Sequence, residues 1–402
     1  MMVQNPNKMK QFLKVQKTHI VKGLEAVMLK GINLGGWLMM EGYILLAPNN
    51  PEYQFKNNFK KVLGETALKD FERNFRSHFI QENDFRKIKE FGFNCIRLPF
   101  HYRLVYKSVG KYNLEGLKIL DQAIAWAKKY QIYIILDLHA APGCQNHDWH
   151  SDSAGKAALW TNKINQKRTL DLWEFLADRY KNEEMIAGYD LLNEAVIDDV
   201  KILNEFYKKL IKTIRCVDKN HILFIEGNTW ATDLKCLDNF NDDNIVLSIH
   251  SYEPLNFTFN FIPHLKYPSK EYSFDLIRRH LSQYHIISQK NSLPIFVGEF
   301  GANYREGLFG EDKWLEDNLK CFKEFCFHWT YWTYKAVKGA TFPDGILSFY
   351  ENPLWVNRMG PVVGWDTYAK YWKTKRKEIT DSWLTRNFKE NTVILKIFKK
   401  YA

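Results

Sequence analysis

Polar residues with chemical capability recur in this chain where short apolar runs stop. One run ends in Arg97-Leu98-Pro99, another in Asp137-Leu138-His139, and a third in Leu192-Asn193-Glu194. Later runs end in His250-Ser251-Tyr252, Gly298-Glu299-Phe300 and Tyr331-Trp332. A single polar residue at the end of a run says little, because such groups often only satisfy loop backbone. If the runs are neighbouring strands, however, Arg97, His139, Asn193, Glu194, His250, Tyr252, Glu299 and Trp332 share one rim. Burying so many ionisable groups costs several kcal/mol unless they pair or work.

The elements that must position them are set by the hydrophobic periods. Strands are expected at Val27–Leu34, Cys95–Leu98, Tyr133–Leu138, Ile186–Leu192, Ile222–Ile225, Ile245–Ile249, Ile295–Val297 and Phe327–Trp332. Helical spacing appears at Asn83–Phe91, Leu114–Tyr130, Lys167–Tyr180, Lys201–Val217, Phe274–Lys290 and Lys313–Phe325. Strands alternating with helices imply parallel pairing through right-handed crossovers, and eight of them imply closure. The expected fold is therefore α/β, a single (β/α)8 TIM barrel. Phe12–Ala26 reads as a short hairpin, with Lys22-Gly23 near its turn, that could plug the bottom of the barrel. The catalytic domain is expected over 12–382, with 1–11 as an N-terminal arm and 383–402 as a basic amphipathic tail packed outside. Four long irregular stretches, Met39–Asn58, Ala140–Asn165, Tyr252–Tyr272 and Gly339–Asp366, each come after a strand and should lie on the face where barrel enzymes keep their sites.

Several of these segments carry recognisable motifs. Gly31-Ile32-Asn33-Leu34-Gly35-Gly36-Trp37-Leu38, Asp84-Phe85 through Arg97-Leu98-Pro99, and Ile134 through Asn146 resemble the family 5 glycoside hydrolases, especially exo-β-1,3-glucanase-like members. Leu192-Asn193-Glu194 is similar to that family's acid/base strand, although Ala195 stands where a proline is usual. Val297-Gly298-Glu299-Phe300-Gly301 is similar to its nucleophile strand. The resemblance spans roughly Val27 to Asp366 with the motifs in order.

The resemblance implies a retaining β-glycosidase with Glu299 as nucleophile and Glu194 as acid/base. Such a pair faces the anomeric carbon from two sides at roughly 5–5.5 Å. Arg97 and Tyr252 are expected to keep Glu299 ionised, while Glu194 is expected in a drier setting that keeps it protonated. Asn193 is the expected partner of the sugar 2-hydroxyl, Trp332 the flat platform beneath the ring, and His139 and His250 bind hydroxyls or orient the carboxylates. The implied substrate is a β-glucan, oligosaccharide or glucoside cleaved from one end. Endo-β-1,4-glucanase, glycosylceramide-cleaving and mannose-specific readings use the same framework, and a carbohydrate-binding pseudoenzyme is the non-enzyme alternative. No cofactor and no metal is implied. The loop His147-Asp148-Trp149-His150-Ser151-Asp152 has ligand-type residues for zinc, but nothing in its spacing fixes a geometry, and sugar binding or loop packing is the expected reading. The loop Tyr252–Tyr272 is dense in aromatic residues that either wall a subsite, cover a lipid-like aglycone, or pack against a neighbouring loop.

Composition adds limits. The 402 residues include 57 Lys and Arg against 46 Asp and Glu, a net charge of +11. The lysines are scattered, which describes a solvated basic surface with at most weak attraction to a membrane surface. No helix-turn-helix, finger or aromatic RNA-binding motif is present, so nucleic acid is not an expected partner. Six cysteines without tight spacing suggest no disulfide framework, and Cys95 and Cys216 read as buried thiols. The polar start MMVQNPNKMKQFLKVQ has no signal-peptide core and no run reaches membrane-span length, so a cytoplasmic location is expected, or a secreted one if a leader precedes this sequence. Oligomeric state is not legible.

Overall fold

The computed structural model describes residues 11–349 and 365–401. Its centre is a closed barrel of eight parallel strands. We label them β1 (Lys30–Asn33), β2 (Cys95–His101), β3 (Tyr133–Ala140), β4 (Ile186–Asp190), β5 (Ile222–Glu226), β6 (Ile245–His250), β7 (Ile295–Phe300) and β8 (His328–Tyr331). Each pairs with its sequence neighbour, and β8 pairs with β1 to close the ring. All eight expected strands are present, so the fold is a (β/α)8 barrel.

Alternation along the strands builds the interior in layers, because side chains at i and i+2 face the same side. Cys95, Ile135, Phe224, Val246 and Phe296 form an apolar layer low in the barrel. Two residues further along the same strands stand Arg97, Asp137, Glu226, Ser248 and Gly298, a polar layer roughly 6.6 Å higher. One step higher come His139 and His250, at the mouth. Register shifts between Ile249 and His250, and between Val297 and Phe300, bend the tops of β6 and β7 and re-aim the side chains there.

The N-terminal element is a three-stranded antiparallel sheet (Leu13–Gln16, His19–Lys22, Glu25–Ala26) rather than a simple hairpin. Its first turn falls at Lys17-Thr18, where Lys17 has a φ of 54°, and its second at Gly23-Leu24. Leu13 and Ile20 join the low apolar layer, which closes the barrel floor.

Helices α1 (Glu52–Leu63) and α2 (Glu65–Phe79) form a pair inserted after β1, with α3 (Glu82–Glu90) next in the chain. The expected irregular stretch Met39–Asn58 therefore ends inside a helix. Phe55 and Phe59 on α1 and Phe71, Phe75 and Phe79 on α2 recur at helical spacing and bury one apolar face. Phe71 packs edge-on against Trp372 and Trp383 near the chain end. The outer layer continues with α4 (Leu114–Tyr130), α5 (Lys163–Tyr180), α6 (Val200–Val217), α7 (Phe274–Asn291), α8 (Glu311–Glu324), α9 (Trp365–Ser382) and α10 (Thr392–Tyr401). In α10, Ile394, Leu395 and Phe398 are buried, and Phe398 stacks on Trp329 of β8. Cys95 is buried as expected, but Cys216 is exposed. It falls off the stripe Phe206, Tyr207, Leu210 and Ile214 that α6 turns inward. Of the long loops, residues 350–364 of Gly339–Asp366 lie outside the described residues, as does the arm before residue 11. Among the described residues, no helix is long and apolar enough to cross a membrane.

Candidate active site

Arg97 is fully buried and organises the polar layer. Its guanidinium lies 2.7 Å from Glu299 Oε1, 2.9 Å from Asp190 Oδ2, and 3.1 Å from both Asp137 Oδ2 and Glu226 Oε1. It also donates to Asn193 Oδ1 at 2.8 Å and to Asn33 Oδ1 at 3.2 Å. A planar fork with five N–H donors is the side chain that can satisfy so many acceptors at once. One positive charge facing four carboxylates cannot neutralise them all. Burial, then repulsion from Glu226, pushes the Asp190 carboxyl well above its ordinary value, against the pull of Arg97.

Glu299, at the top of β7, also accepts from the Tyr252 hydroxyl at 2.8 Å. The expected Arg97 and Tyr252 contacts are therefore both made. Glu194 stands opposite, just past β4, with a φ of 49°. Its own N–H donates to Glu226 Oε2 at 2.5 Å, which holds this left-handed residue. Its carboxylate lies between two histidines: Oε1 is 2.6 Å from His250 Nδ1 and Oε2 is 2.9 Å from His150 Nε2. Oxygens of Glu194 and Glu299 and a ring nitrogen of His250 all fall within 4.8 Å of one another.

The two carboxyl environments are the reverse of the expectation. Burial would raise Glu194, but the hydrogen bonds and charge of His150 and His250 outweigh it and hold the carboxyl well below its usual range. Burial raises Glu299 against the pull of His250 and Arg97, with repulsion from Glu194 adding to the rise. Arg97 is shared four ways, whereas Glu194 has two imidazole donors. His250 itself is disfavoured as a cation by burial, yet Glu299, Glu226 and Glu194 raise its pKa far above the ordinary value. His139 obeys the same logic: burial opposes its charge, Asp137 and Glu41 overcome it, and the pKa rises to about 10. Its Nδ1 lies 2.8 Å from Asp137 and its Nε2 lies 3.2 Å from Glu41.

Trp332 covers the other side of the site. Its ring stacks on His139 at 5.5 Å with 8° between planes, and its Nε1–H donates to the Tyr43 hydroxyl. Gly35 permits this placement, since a Cβ there would come within 2.8 Å of the indole. Asn193 is brought beside Arg97, and its Nδ2 is buried with no protein partner. Arg97, His139, Asn193, Glu194, His250, Tyr252, Glu299 and Trp332 thus converge on one region.

They open into a cleft of about 690 Å³. Beyond Trp332 the cleft is walled by aromatic rings: Phe342 stacks on Tyr43 at 4.9 Å, and Phe259 and Trp149 pack on Phe342 at 5.3 and 6.1 Å. The cleft is also lined by Trp230, Thr232, His280 and Tyr284. There Thr229, Trp230 and Ala231 all have φ between 52° and 60°, and Trp230 donates its indole N–H to Asp148 at 2.7 Å. The aromatic loop Tyr252–Tyr272 serves two purposes. Phe259 walls the cleft, while Phe257 and Tyr267 pack inward and Tyr267 donates to Asp317.

The ligand-type residues of the His147–Asp152 loop do not converge on one point. Asp148 holds Trp230, His150 holds Glu194, and Asp152 pairs with His101 and Arg103. Glu194, His250 and Glu299 bring oxygens and nitrogen close together, but these atoms already face Arg97, Tyr252 and each other. The residues absent from the expected set are Glu41, Tyr43, Glu226, Trp230 and Phe342, while His150 enters the sequence reading only as part of the His147–Asp152 loop, with no role beside Glu194. Glu226 alone had a usable signal, as a carboxylate directly after the Ile222–Ile225 run.

Comparison with known proteins gives the family. The family model for cellulase (glycosyl hydrolase family 5) matches residues 48–338. The chain belongs to glycosyl hydrolase family 5. A β-xylosidase of Phanerodontia chrysosporium is 34% identical over 345 residues, covering 81% of this chain and 71% of that protein. Endoglucanase C of Acetivibrio thermocellus is 31% identical, covering 76% of this chain and 91% of the relative. The fold is shared with endoglucanase Cel5A from Thermotoga maritima, at a TM-score of 0.60 and 22% identity over 89% of this chain and 97% of that one. As a family 5 member this chain is a glycoside hydrolase. Glu41, Tyr43 and Phe342 fall just outside the span that the family model matches, whereas Phe259 and Trp149 of the same wall lie inside it.

Proposed function

We propose that this family 5 enzyme is a retaining, exo-acting β-glycosidase that releases a gluco-configured sugar from the end of a β-glucan, oligosaccharide or glucoside. The observation that carries the mechanism is the approach of Glu194 and Glu299 oxygens within 4.8 Å. So close an approach of one oxygen from each is in keeping with the closely spaced pair of double displacement, whereas an inverting pair stands roughly 6.5–9.5 Å apart to admit a water. In the first step Glu299 attacks the anomeric carbon while Glu194 passes a proton to the departing oxygen, leaving a glycosyl ester. In the second, Glu194 takes a proton from water, the water oxygen attacks the same carbon, and Glu299 is released.

The other residues have roles set by their contacts. Arg97 and the Tyr252 hydroxyl fix the Glu299 carboxylate and stabilise its charge. The unpartnered Asn193 Nδ2 is a donor for the sugar 2-hydroxyl, whose hydrogen bond strengthens as the ring flattens. Trp332 offers its face to the C–H groups of the sugar, and charged His139 donates to a hydroxyl or holds Glu41 in place.

Exo action is supported by the aromatic wall of Tyr43, Phe259 and Phe342, which is tied to Trp332 through the Tyr43 hydroxyl and on this reading closes the cleft to a longer glucan. Glucose and xylose share their configuration at the ring hydroxyls, so the β-xylosidase relative and the glucanase relatives are compatible with one site. A panel of aryl β-glucosides and β-xylosides, laminari- and cello-oligosaccharides and glucosylceramide, with products sized over time and their anomers read by NMR, tests the proposal. Early release of monosaccharide with retained configuration is expected. An inverted anomer would sink the double displacement, and early internal cleavage would replace exo with endo action.

A further inference from the structure

His150 sits in a loop that double displacement by itself leaves without a task. Its Nε2 lies 2.9 Å from Glu194 Oε2, and both side chains are partly open to the cleft at 15% and 13% exposure. The loop is anchored at Asp148, which accepts from Trp230, so the imidazole is held at a set position beside the acid/base. We propose that His150 is a positioning residue that shares the acid proton with Glu194, so that the proton delivered to the leaving oxygen belongs to the His150–Glu194 pair. The proposal rests on the assignment of Glu194 as acid/base made above.

Geometry distinguishes this histidine from its neighbours. His250 faces three carboxylates, Glu194 at 2.6 Å, Glu226 at 3.2 Å and Glu299 at 3.6 Å, so its proton is tightly held. His139 lies between Asp137 and Glu41. His150 touches one carboxylate only. The charged groups facing it are Glu194 past β4, Glu41 from the loop after β1, and the His139 ring at 6.4 Å at the end of β3. Burial works against its charge, Glu194 outweighs burial, and its pKa is raised, though without the far larger rise of His250. Within its own loop Asn146 Nδ2 approaches the same Nε2 at 3.0 Å, a donor that favours the neutral ring. Nε2 therefore faces one group that stabilises its proton and one that stabilises its lone pair, which suits a proton that must move.

In the free enzyme the pair holds one proton. During glycosylation that proton crosses to the Glu194 carboxyl and passes to the leaving oxygen as its bond to carbon breaks, leaving neutral imidazole and carboxylate. Attack of water in the second step returns a proton to Glu194, and the pair is reloaded. The pair keeps its proton up to the raised pKa of His150. Without His150, Glu194 remains beside charged His250 and ionises at lower pH.

The test is the pH dependence of kcat/KM for His150→Gln and His150→Ala, on an alkyl β-glucoside and on an activated nitrophenyl β-glucoside. Turnover of the nitrophenyl substrate, which needs little acid help, also reports an intact fold. The alkaline limb on the alkyl glucoside should move toward acid by about one pH unit, with a loss that approaches roughly tenfold at pH values above the limb, and the nitrophenyl substrate should change by less than about threefold. An alkaline limb that stays put or moves upward, or equal losses on both substrates, would overturn the proposal. Glu194→Ala run in parallel separates the two claims. If it loses equally on both substrates, the acid/base assignment fails and His150 with it. If it discriminates between them and His150→Gln does not, the His150 proposal alone falls.

Discussion

Replacing Glu226 by glutamine changes one atom and should disturb both the fold and the reaction. Glu226 Oε2 accepts the backbone N–H of Glu194 at 2.5 Å, while Oε1 lies 3.1 Å from Arg97 Nη2 and 3.2 Å from His250 Nε2. Every one of these neighbours is a donor. A glutamine amide in the same place has one oxygen and one NH2, so whichever way it turns a donor faces a donor. A hydrogen bond to a charged group contributes about 1.5–3 kcal/mol, and breaking a buried ion pair from one side costs about 3–5 kcal/mol. We expect Glu226→Gln to lose about 3 kcal/mol of stability, read as a lower urea midpoint. Activity should fall further, because the Glu194 N–H bond holds a left-handed residue whose relaxation carries the acid/base with it. A displacement on the order of 1 Å costs roughly a hundredfold, so kcat/KM should drop by about that factor. A Glu226→Gln enzyme with a wild-type urea midpoint and kcat/KM within about twofold of normal would refute the role of Glu226 in holding Glu194.

Glu299→Ala should abolish hydrolysis, and added azide should restore turnover of an activated glucoside with a product of inverted anomeric configuration; no rescue in a folded variant would count against its role. His139 is raised from 6.5 to about 10, so the stability it contributes is fully present below pH 6.5 and is lost as pH climbs through 10. Between about pH 7 and pH 10 that amounts to roughly 4 kcal/mol, and the urea midpoint of His139→Asn should fall less steeply over this range than that of the wild type. Parallel slopes would show that His139 is not held as a cation. Phe342→Ala should open the walled end of the cleft, so that cello-oligosaccharides yield disaccharide at early times; a product pattern still made of monosaccharide would mean other residues close that end.

The strands and their polar ends were legible because strand and helix periods differ, and because β2, β3, β6 and β7 end in residues that turns do not need. Glu226 was harder to see. It stands between an apolar run and Gly227-Asn228, where its type is equally suited to a turn, and only its contacts with Arg97 and Glu194 mark it out. Helices α1 and α2 carry ordinary helical spacing in Phe55, Phe59, Phe71 and Phe75, but a pattern of one helix per crossover leaves no place for a pair between β1 and α3. Glu41, Tyr43, His150 and Phe342 lie in loops with no period, so their convergence exists only in three dimensions. The reversed charge environments of Glu194 and Glu299 had no sequence signal either. They depend on how many donors surround each carboxylate, and Arg97 divides its donors among Asp137, Asp190, Glu226 and Glu299.

The small sheet under the barrel bears on how the enzyme can be handled. Leu13 and Ile20 seal the floor, and the turn that joins the last two strands of that sheet carries Leu24, whose side chain is 99% exposed. The cleft opens at the opposite end of the strands. A bead or carrier coupled at residue 24 would therefore hold the enzyme with its mouth toward the medium, where a bulky glucan chain end can enter as freely as it does in solution. Coupling at Trp230, on the rim, would turn the mouth toward the support and shut out all but the smallest glycosides.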